Sequence, residues 1–278
     1  MVDAIRNVRR TKVNAELGFL ALELTNRCNM ACSKCWSQTP KLYPARPKGD
    51  MTRETFYSII LELAQAPFKP RDLVVGFQYG GESLLHPHFR EFAEAAKQMH
   101  FKELGLATNG TLLNKSLNSV LLNNFSALAI SLHKGPLLQE SIDNAVALVE
   151  QRGKGCYEPN IRANLVIEEF TQQERDEVTG QLSGKVDGFR AFSYISEDMQ
   201  AASYATPLDT CPSPMRYMAI LWNGDTLPCC HILSPGPWSL GNINEKCILE
   251  VWNGPGYASL RDRGYVGTHC ERCQVKRL

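Results

Sequence analysis

The sequence lacks long apolar runs and lacks any block of charge of one sign. No stretch approaches the roughly 18–20 consecutive apolar residues of a membrane-spanning helix. Thirty basic residues against 29 acidic ones leave a formal net charge of +1 over 278 residues. Because nucleic acids and anionic membranes bind clustered basic residues, neither is expected as the main partner. The N-terminus also lacks the pattern of a signal peptide, so we expect a cytoplasmic protein.

Cysteine, in contrast, is plentiful. The ten cysteines fall into two dense zones, with three at 28–35, six at 211–273 and Cys156 alone between them. Cytoplasmic thiols serve more often as metal or redox ligands than as disulfide partners. The distribution therefore predicts two metal sites.

Strand-like and helix-like segments alternate six times along residues 1–205. Such alternation predicts a parallel sheet with right-handed crossovers, which places the chain in the α/β class. Six units are too few for a closed eight-unit TIM barrel, so we expect a partial (β/α)6 barrel. From about Thr206 the pattern changes to short strands, turns and cysteines. We therefore predict a second domain over 206–278, with a hairpin at Gly224-Asp225 and a helix over 248–260.

The first cysteine zone has the spacing C-x3-C-x2-C, formed by Cys28, Cys32 and Cys35 just after the first predicted strand. Three thiolates on one loop can hold three irons of a [4Fe–4S] cube and leave the fourth iron open to a further ligand. A zinc ion with a remote fourth ligand could use the same spacing, and this alternative stays open here.

Together with Gly80-Gly81-Glu82 at the end of the second predicted strand, this spacing resembles the signature of the radical S-adenosylmethionine (SAM) enzymes. The resemblance implies the partial barrel, a [4Fe–4S] cluster, and SAM bound to its open iron. It also implies reductive cleavage of SAM to a radical that takes a hydrogen atom from substrate carbon. One departure is Lys34, since the family often has an aromatic residue just before the third cysteine, whereas here Trp36 follows it.

The remaining SAM contacts that the resemblance implies lie where the strands end, as active sites of such barrels do. Two glycines allow close approach of the backbone, and Glu82 can accept hydrogen bonds from the SAM amino group. Ser131 would contact the carboxylate or ribose. Each side chain could also be an ordinary core or rim residue. The candidates are Gly80, Gly81, Glu82, Asn109, Ser131, Arg162, Asn164, Tyr194 and Ile195.

The second cysteine zone resembles the SPASM and twitch appendages of radical SAM enzymes, which bind auxiliary iron–sulfur clusters. Because only five residues follow Cys273, the shorter twitch form with one auxiliary [4Fe–4S] cluster is expected. A four-cysteine zinc site is the competing interpretation. The expected ligands are Cys211, Cys229, Cys270 and Cys273.

Three cysteines are left over. Cys156 lies in a predicted loop and has no expected role. Some radical SAM epimerases that resemble this architecture use a free cysteine as hydrogen donor to the substrate radical. Cys247, at the start of the tail helix, is the first candidate for this role, and Cys230 is a weaker one.

The sequence favours a small polar substrate, because only about 20 residues precede the first strand and leave no room for the peptide-recognition domain of many relatives. His133, Glu168 and Glu197, near strand ends, are candidate contacts to it, for example to amino groups. Epimerisation of an aminoglycoside-like compound is the first hypothesis. Dehydrogenation of a secondary alcohol, modification of a ribosomal peptide and a non-catalytic metal-binding scaffold are the alternatives. A flavodoxin or ferredoxin is expected as electron donor.

Overall fold

In the part of the chain that the structure describes, eight strands form one sheet whose core is shared with the surrounding helices. The computed structural model describes residues 16–32, 35, 46–65, 67–153, 158–192, 213–230 and 239–263. The strand order is β6-β5-β4-β3-β2-β1-β7-β8, with parallel pairing throughout except for β8, which runs antiparallel to β7. The strands are β1 Phe19–Leu22, β2 Val74–Phe77, β3 Glu103–Thr108, β4 Ala127–Leu132, β5 Asn160–Val166, β6 Gly188–Phe192, β7 Tyr217–Ile220 and β8 Thr226–Leu227.

Helices cross between successive parallel strands, as the alternating sequence pattern predicts. They are α1 Arg53–Gln65, α2 Phe89–Lys97, α3 Lys115–Asn124, α4 Leu138–Arg152, α5 Gln172–Leu182, α6 Ser213–Arg216, α7 Ile248–Trp252 and α8 Pro255–Arg263. Local sequence sets several of their starts. Asn114 accepts hydrogen bonds from the N–H groups of Ser116 and Leu117, and Thr171 forms a capping box with Glu174. None of the helices in these ranges is long and apolar enough to cross a membrane.

Alternation along the strands separates two faces of the sheet. In β4, for example, Leu128, Ile130 and Leu132 are buried in the main core. The residues between them point to the opposite face, which we call the inner face. In one row across five strands that face carries only alanine and glycine: Ala219, Ala21, Gly76, Gly105 and Ala127 pair in register. Barrel interiors are usually filled with bulky branched residues, so this row leaves room inside the sheet.

The partial α/β barrel predicted from the sequence is confirmed. The tail differs in one respect, because the first strand of its predicted hairpin is a seventh parallel strand. Phe19 pairs with Tyr217, and Leu22 pairs with Ile220. The hairpin pattern is local, whereas this pairing joins distant parts of the chain. The domain boundary predicted near residue 206 lies outside the described residues and stays a prediction.

The tail also packs on the outer layer through Glu62, which lies in the last turn of α1. Its Oε2 accepts a hydrogen bond from the N–H of Ile248 at 2.5 Å. Burial, helped by the nearby charge of Glu250, raises the pKa of Glu62 to about 7, although the Ile248 N–H opposes this. A carboxyl that binds its proton more tightly when folded stabilises the fold at low pH, and this contribution is lost as the pH rises from about 4.5 to 7.

We therefore expect Glu62→Gln to raise the free energy of unfolding at pH 8 by about 1–2 kcal/mol, since a partly exposed carboxylate is screened by water. Glutamine keeps the acceptor for Ile248 but has no charge to bury. Urea denaturation from pH 4.5 to 8 measures the effect, which should vanish at the acid end. Glu54→Gln, in the first turn of the same helix, is the control. The pKa of Glu54 is lowered by bonds to its own N–H and Thr52, so its loss should not stabilise. Destabilisation by Glu62→Gln at pH 8 would contradict the argument.

Candidate active site at the barrel mouth

Glu23, the residue after β1, is hydrogen-bonded to the segments that follow three strands. Its side chain is 1% exposed. Arg46 binds it with both guanidinium nitrogens, Nη1 to Oε1 at 2.9 Å and Nη2 to Oε2 at 2.6 Å. The N–H of Gly80, beyond β2, donates to Oε1 at 3.2 Å, and that of Trp222, beyond β7, donates to Oε2 at 3.3 Å. Sequence analysis did not select Glu23, although a lone acidic residue at the end of an apolar strand was a signal.

The ionisation of Glu23 is set by opposing effects. Burial raises the pKa of this carboxyl, while Arg46 and the N–H groups of Trp222 and Gly80 lower it. All of these partners are donors, and a protonated carboxyl would direct a hydrogen at one of them. The environment therefore suits the carboxylate paired with Arg46.

The three thiols of the first cysteine zone lie close to one another on the loop after β1. Cys28, Cys32 and Cys35 are partly buried and form no disulfide. The Cys35 N–H donates to the Cys32 carbonyl at 2.9 Å, and the Met30 N–H donates to the Cys28 sulfur at 3.4 Å. Burial raises the pKa of Cys28 to about 11, and the charges of Glu82, Cys35 and Cys32 add to this.

These thiols fit an iron–sulfur cluster better as ligands than as free groups. The Cys28 thiol, whose pKa its neighbours raise, needs positive charge beside it to ionise, and iron supplies that charge. Lys48 lies beside Cys35 and Cys28 and donates to the Asn26 carbonyl at 2.9 Å. Within the described ranges, no three His, Cys, Asp or Glu side chains could hold a single metal ion. The thiolates that bind a [4Fe–4S] cube lie farther apart than the ligands of a single metal ion, because each thiolate binds a different iron.

The glycine loop after β2 lies directly on the backbone of the cysteine loop. Gly81 has φ +81°, and a Cβ there would come within 2.5 Å of the carbonyl oxygens of Arg27 and Thr25. The next N–H, of Glu82, donates to the Arg27 carbonyl at 2.7 Å. Only glycine allows this approach, so the predicted need for glycine has a physical cause in backbone packing.

Glu82 is buried and already bonded. Its Oε1 accepts from the Leu84 N–H at 3.2 Å, and its Oε2 accepts from the Asn109 N–H at 2.8 Å. Burial raises its pKa, and these N–H groups oppose that shift. The carboxylate thus joins the ends of β2 and β3, and its remaining lone pairs are what it can offer to an ammonium group.

Asn109 belongs to a small polar network next to Cys28. Its Nδ2 donates to Asn29 Oδ1 at 3.0 Å and lies 3.8 Å from the Cys28 sulfur. Thr111 completes the network, donating to Asn109 Oδ1 at 2.7 Å and accepting from Asn29 Nδ2 at 2.7 Å. Asn29 and Thr111 were missed from the sequence. Their partners lie about 80 residues away in the chain, so no local pattern marks them.

The other candidates for holding SAM that the structure describes lie on the inner face. Ser131 of β4 pairs in register with Asn164 of β5, and Asn164 pairs with Arg190 of β6. Two residues earlier in the same strands, Ala129 pairs with Arg162. Arg162 is exposed, and Ser131 and Asn164 are partly exposed. Three predicted site residues on this side, Tyr194, Ile195 and Glu197, lie outside the described residues. Glu168 is described, and it is exposed in a single turn after β5.

His133, predicted as a substrate contact, lies beside the cysteine loop. Its Nδ1 is 3.1 Å from Glu169 Oε1, and its ring is also hydrogen-bonded to Cys32. Burial lowers the pKa of His133, but the bonds to Cys32 and Glu169 outweigh burial and raise it to about 9. The imidazolium therefore supplies positive charge next to Cys32, one of the three expected cluster ligands.

The tail reaches the same site through Cys229, which follows β8. Tyr79, the residue before the two glycines, donates from its hydroxyl to the Cys229 carbonyl at 3.3 Å. Its neighbour Cys230 is exposed. The other expected auxiliary ligands, Cys211, Cys270 and Cys273, lie outside the described residues, as does Cys156.

Cys247 lies at the start of helix α7. It is the N-cap of α7, where its sulfur accepts from the Glu250 N–H at 3.4 Å while its own N–H donates to Glu250 Oε2 at 3.0 Å. Burial raises its pKa to about 11, and Glu62 on the outer helix α1 is among the charges that add to this. The structure does not bring this thiol together with the residues at the barrel mouth.

Comparison with known proteins identifies two domains in the chain. The family model of the radical SAM superfamily matches residues 22–144, and that of the SPASM iron–sulfur cluster-binding domain matches residues 211–274. The chain is therefore a radical SAM enzyme with a C-terminal SPASM-type domain. Its cofactors are SAM, a [4Fe–4S] cluster, and auxiliary iron–sulfur clusters of the SPASM-type domain.

Curated relatives and solved structures extend the likeness. A tungsten-containing aldehyde ferredoxin oxidoreductase cofactor-modifying protein of Pyrococcus furiosus is 22% identical, over 93% of this chain and 87% of its own length. A GTP 3′,8-cyclase of Microcystis aeruginosa is 35% identical over 36% of this chain and 29% of its own.

Two solved structures share the fold. BtrN in complex with AdoMet and 2-DOIA has a TM-score of 0.62 at 16% identity, covering 93% of both chains. The enzyme anSMEcpe with bound AdoMet has a TM-score of 0.66 at 17% identity, covering 95% of this chain and 84% of its own. At these identities the likeness concerns the fold alone.

We expect Glu23→Gln to lower the free energy of unfolding by about 3–5 kcal/mol, because it removes one partner of a buried ion pair that Arg46 makes with both guanidinium nitrogens. Chemical denaturation of the protein measures the loss. Glu91→Gln is the matched control, since it breaks the ion pair with Arg53 on the exposed surface, where such pairs contribute little. If both variants lost the same small stability, Glu23 would not hold the strand ends together.

Proposed function

We propose that this radical SAM enzyme oxidises a small polar substrate, removing hydrogen from a carbon that bears a hydroxyl group. The contact between Tyr79 and the Cys229 carbonyl carries this proposal, because it brings the tail segment against the glycine loop. If Cys229 ligates the auxiliary cluster, an electron acceptor lies close to the place where SAM binds. Oxidation of an alcohol needs such an acceptor, since the second hydrogen leaves as a proton and an electron.

The chain's own residues divide the work at the first site. Cys28, Cys32 and Cys35 would hold the cluster, which together with SAM supplies the radical that removes a hydrogen atom. Lys48 and His133 balance the thiolate charge. The inner-face residues Ser131, Asn164 and Arg162 remain the candidates for orienting SAM and excluding water.

Epimerisation is supported less well than the sequence suggested. It needs a thiol that donates hydrogen to the substrate radical. Cys247 is engaged as the cap of α7 and lies beside Glu62 of the outer helix layer. The exposed thiol of Cys230, adjacent to Cys229, is the better-placed donor, so epimerisation through Cys230 is the second candidate.

Two observations support the proposed substrate class: the space at the inner face of the sheet, and the ligands found in similar solved structures. The row of alanine and glycine on the inner face leaves space for a compact molecule. A structural neighbour, BtrN, binds 2-DOIA, whereas another, anSMEcpe, is found with bound peptides, which keeps peptide modification as an alternative. We propose a flavodoxin or ferredoxin as the electron donor.

The decisive experiment is anaerobic turnover of the reconstituted enzyme with SAM, dithionite and a panel of polyols and amino sugars. Oxidation lowers the product mass by two hydrogens, whereas epimerisation leaves the mass unchanged. In deuterated water, quenching by a thiol would place deuterium on carbon, and oxidation would not. An unchanged product mass in ordinary water, together with one deuterium on carbon in deuterated water, would refute the oxidation proposal.

Two cysteine variants test the roles of individual thiols in the same experiment. Cys28→Ala should lose about four irons and stop 5′-deoxyadenosine formation, because the cube loses one of its three protein ligands. Cys247→Ala should retain the irons, 5′-deoxyadenosine and product, because its sulfur only caps a helix. Loss of product from Cys247→Ala, with 5′-deoxyadenosine still formed, would restore Cys247 as hydrogen donor.

A further inference from the structure

We propose that His133, held in place by Glu169, sets the reduction potential of the cluster on Cys28, Cys32 and Cys35 through a hydrogen bond to the Cys32 sulfur. Both are positioning residues, because they act through a ligand of the cluster and not on the substrate. All five residues belong to the described part of the chain. The proposal rests on the proposed assignment of the three thiols as cluster ligands. It does not depend on whether the enzyme oxidises or epimerises its substrate.

The ring of His133, the residue after β4, lies between a carboxylate and a cysteine. Its Nδ1 is 3.1 Å from Glu169 Oε1, and the ring is also hydrogen-bonded to Cys32. The side chains of His133 and Glu169 are only 19% and 11% exposed. Because little water surrounds this pair, a charge on the ring acts on its neighbours more strongly than a surface charge would.

Glu169 is itself fixed by two parts of the fold. Its Oε2 accepts a hydrogen bond from the N–H of Lys134, just after β4, at 2.7 Å. The single turn that carries Glu169 follows β5, and Arg175 of α5 holds this turn. Arg175 Nη1 donates to the carbonyls of Ile167 at 2.9 Å and Phe170 at 2.8 Å. The carboxylate thus joins the ends of two neighbouring strands and holds the ring from the side of the barrel wall.

The ring suits a reduced cluster better than an oxidised one. A carboxylate and an iron-bound thiolate are both hydrogen-bond acceptors, and only the imidazolium form of histidine has a hydrogen on each ring nitrogen. The reduced cluster carries one more negative charge than the oxidised cluster. Hydrogen bonds to ligand sulfurs and nearby positive charge stabilise that form, so they raise the reduction potential. Removal of the ring should therefore lower it.

The first experiment measures the midpoint potential of this cluster in the reconstituted full chain, by EPR-monitored redox titration without SAM. The signal of this cluster is the one that Cys28→Ala removes. We expect His133→Phe to lower the equilibrium constant for reduction by about tenfold or more, which is about 59 mV for a one-electron couple. A purely structural role of the ring predicts no such change.

His88→Phe is the matched control for this measurement. His88 also lies beside a glutamate, with its Nδ1 3.5 Å from Glu91 Oε2, but this pair is on the exposed surface. Its loss should leave the potential unchanged. An unchanged potential in His133→Phe, or the same fall in both variants, would overturn the proposal.

A second experiment needs no change at position 133, and so does not depend on whether His133→Phe retains its irons. The full chain is labelled with [15N]histidine, and pulsed EPR of the reduced cluster detects a ring nitrogen that is hydrogen-bonded to a ligand sulfur. We expect a 15N coupling in the protein without substitutions. Its absence there would overturn the proposal.

Two glutamate variants of the labelled protein test what holds the ring. Glu169→Ala should lose at least half of the coupling, because the ring is no longer oriented towards Cys32. Glu174→Gln should keep the coupling, because the Glu174 carboxylate pairs with Lys134 at 2.6 Å, where the side chains are 34% and 51% exposed. Equal coupling in the two variants would overturn the role of Glu169.

Product mass is measured on the same samples. An unchanged product mass would contradict the oxidation proposal without altering the potential or the 15N coupling. Failure of that proposal is therefore distinguishable from failure of this one.

Discussion

The buried carboxylate of Glu23 is the constraint on which the barrel mouth depends. A charge removed from water is tolerated only where it is paired and fully hydrogen-bonded, since an unpaired one costs several kcal/mol. Its partners come from residues 46, 80 and 222, which belong to the segments that follow three adjacent strands. Strand pairing alone fixes the sheet but leaves the loops free. One carboxylate that accepts hydrogen bonds from all three of these loops fixes how the loops pack together.

The metal-binding loop is shaped by what Glu23 holds in place. With the N–H of Gly80 anchored, Gly81 lies against the carbonyls of Thr25 and Arg27, where no Cβ would fit. The three thiols of this loop, which are negatively charged as cluster ligands, lie with the Glu82 carboxylate close to Cys28. Lys48, His133 and the metal itself must supply the balance. This excess of negative charge explains why the Cys28 thiol, whose pKa is raised, suits a bound cluster better than a site without metal.

Much of this arrangement could be predicted from the sequence, and the missing part has a common cause. Apolar periodicity indicated the six strands and their helices, and cysteine spacing indicated the metal loop, because both are local patterns. Glu23, Asn29, Thr111 and Tyr79 act through partners that are distant in the chain. The parallel pairing of β7 with β1 is equally non-local, so the hairpin pattern predicted two strands correctly but not the sheet they join. The predicted roles of Cys211, Cys270 and Cys273 concern residues outside the described part and stay predictions.

Cys247 shows why position in the fold decides what a thiol can do. From the sequence it was a spare cysteine at a helix start, and the structure has it at that helix start, with its sulfur and N–H both bonded to Glu250. Among the described residues, this sulfur is bonded to Glu250 and lies near the charge of Glu62 on the outer helix layer. Cys229 and Cys230 reach the inner face because β7 and β8 extend the sheet itself, and Tyr79 meets them there. The route by which the tail joins the sheet therefore decides which of these cysteines lie next to the glycine loop.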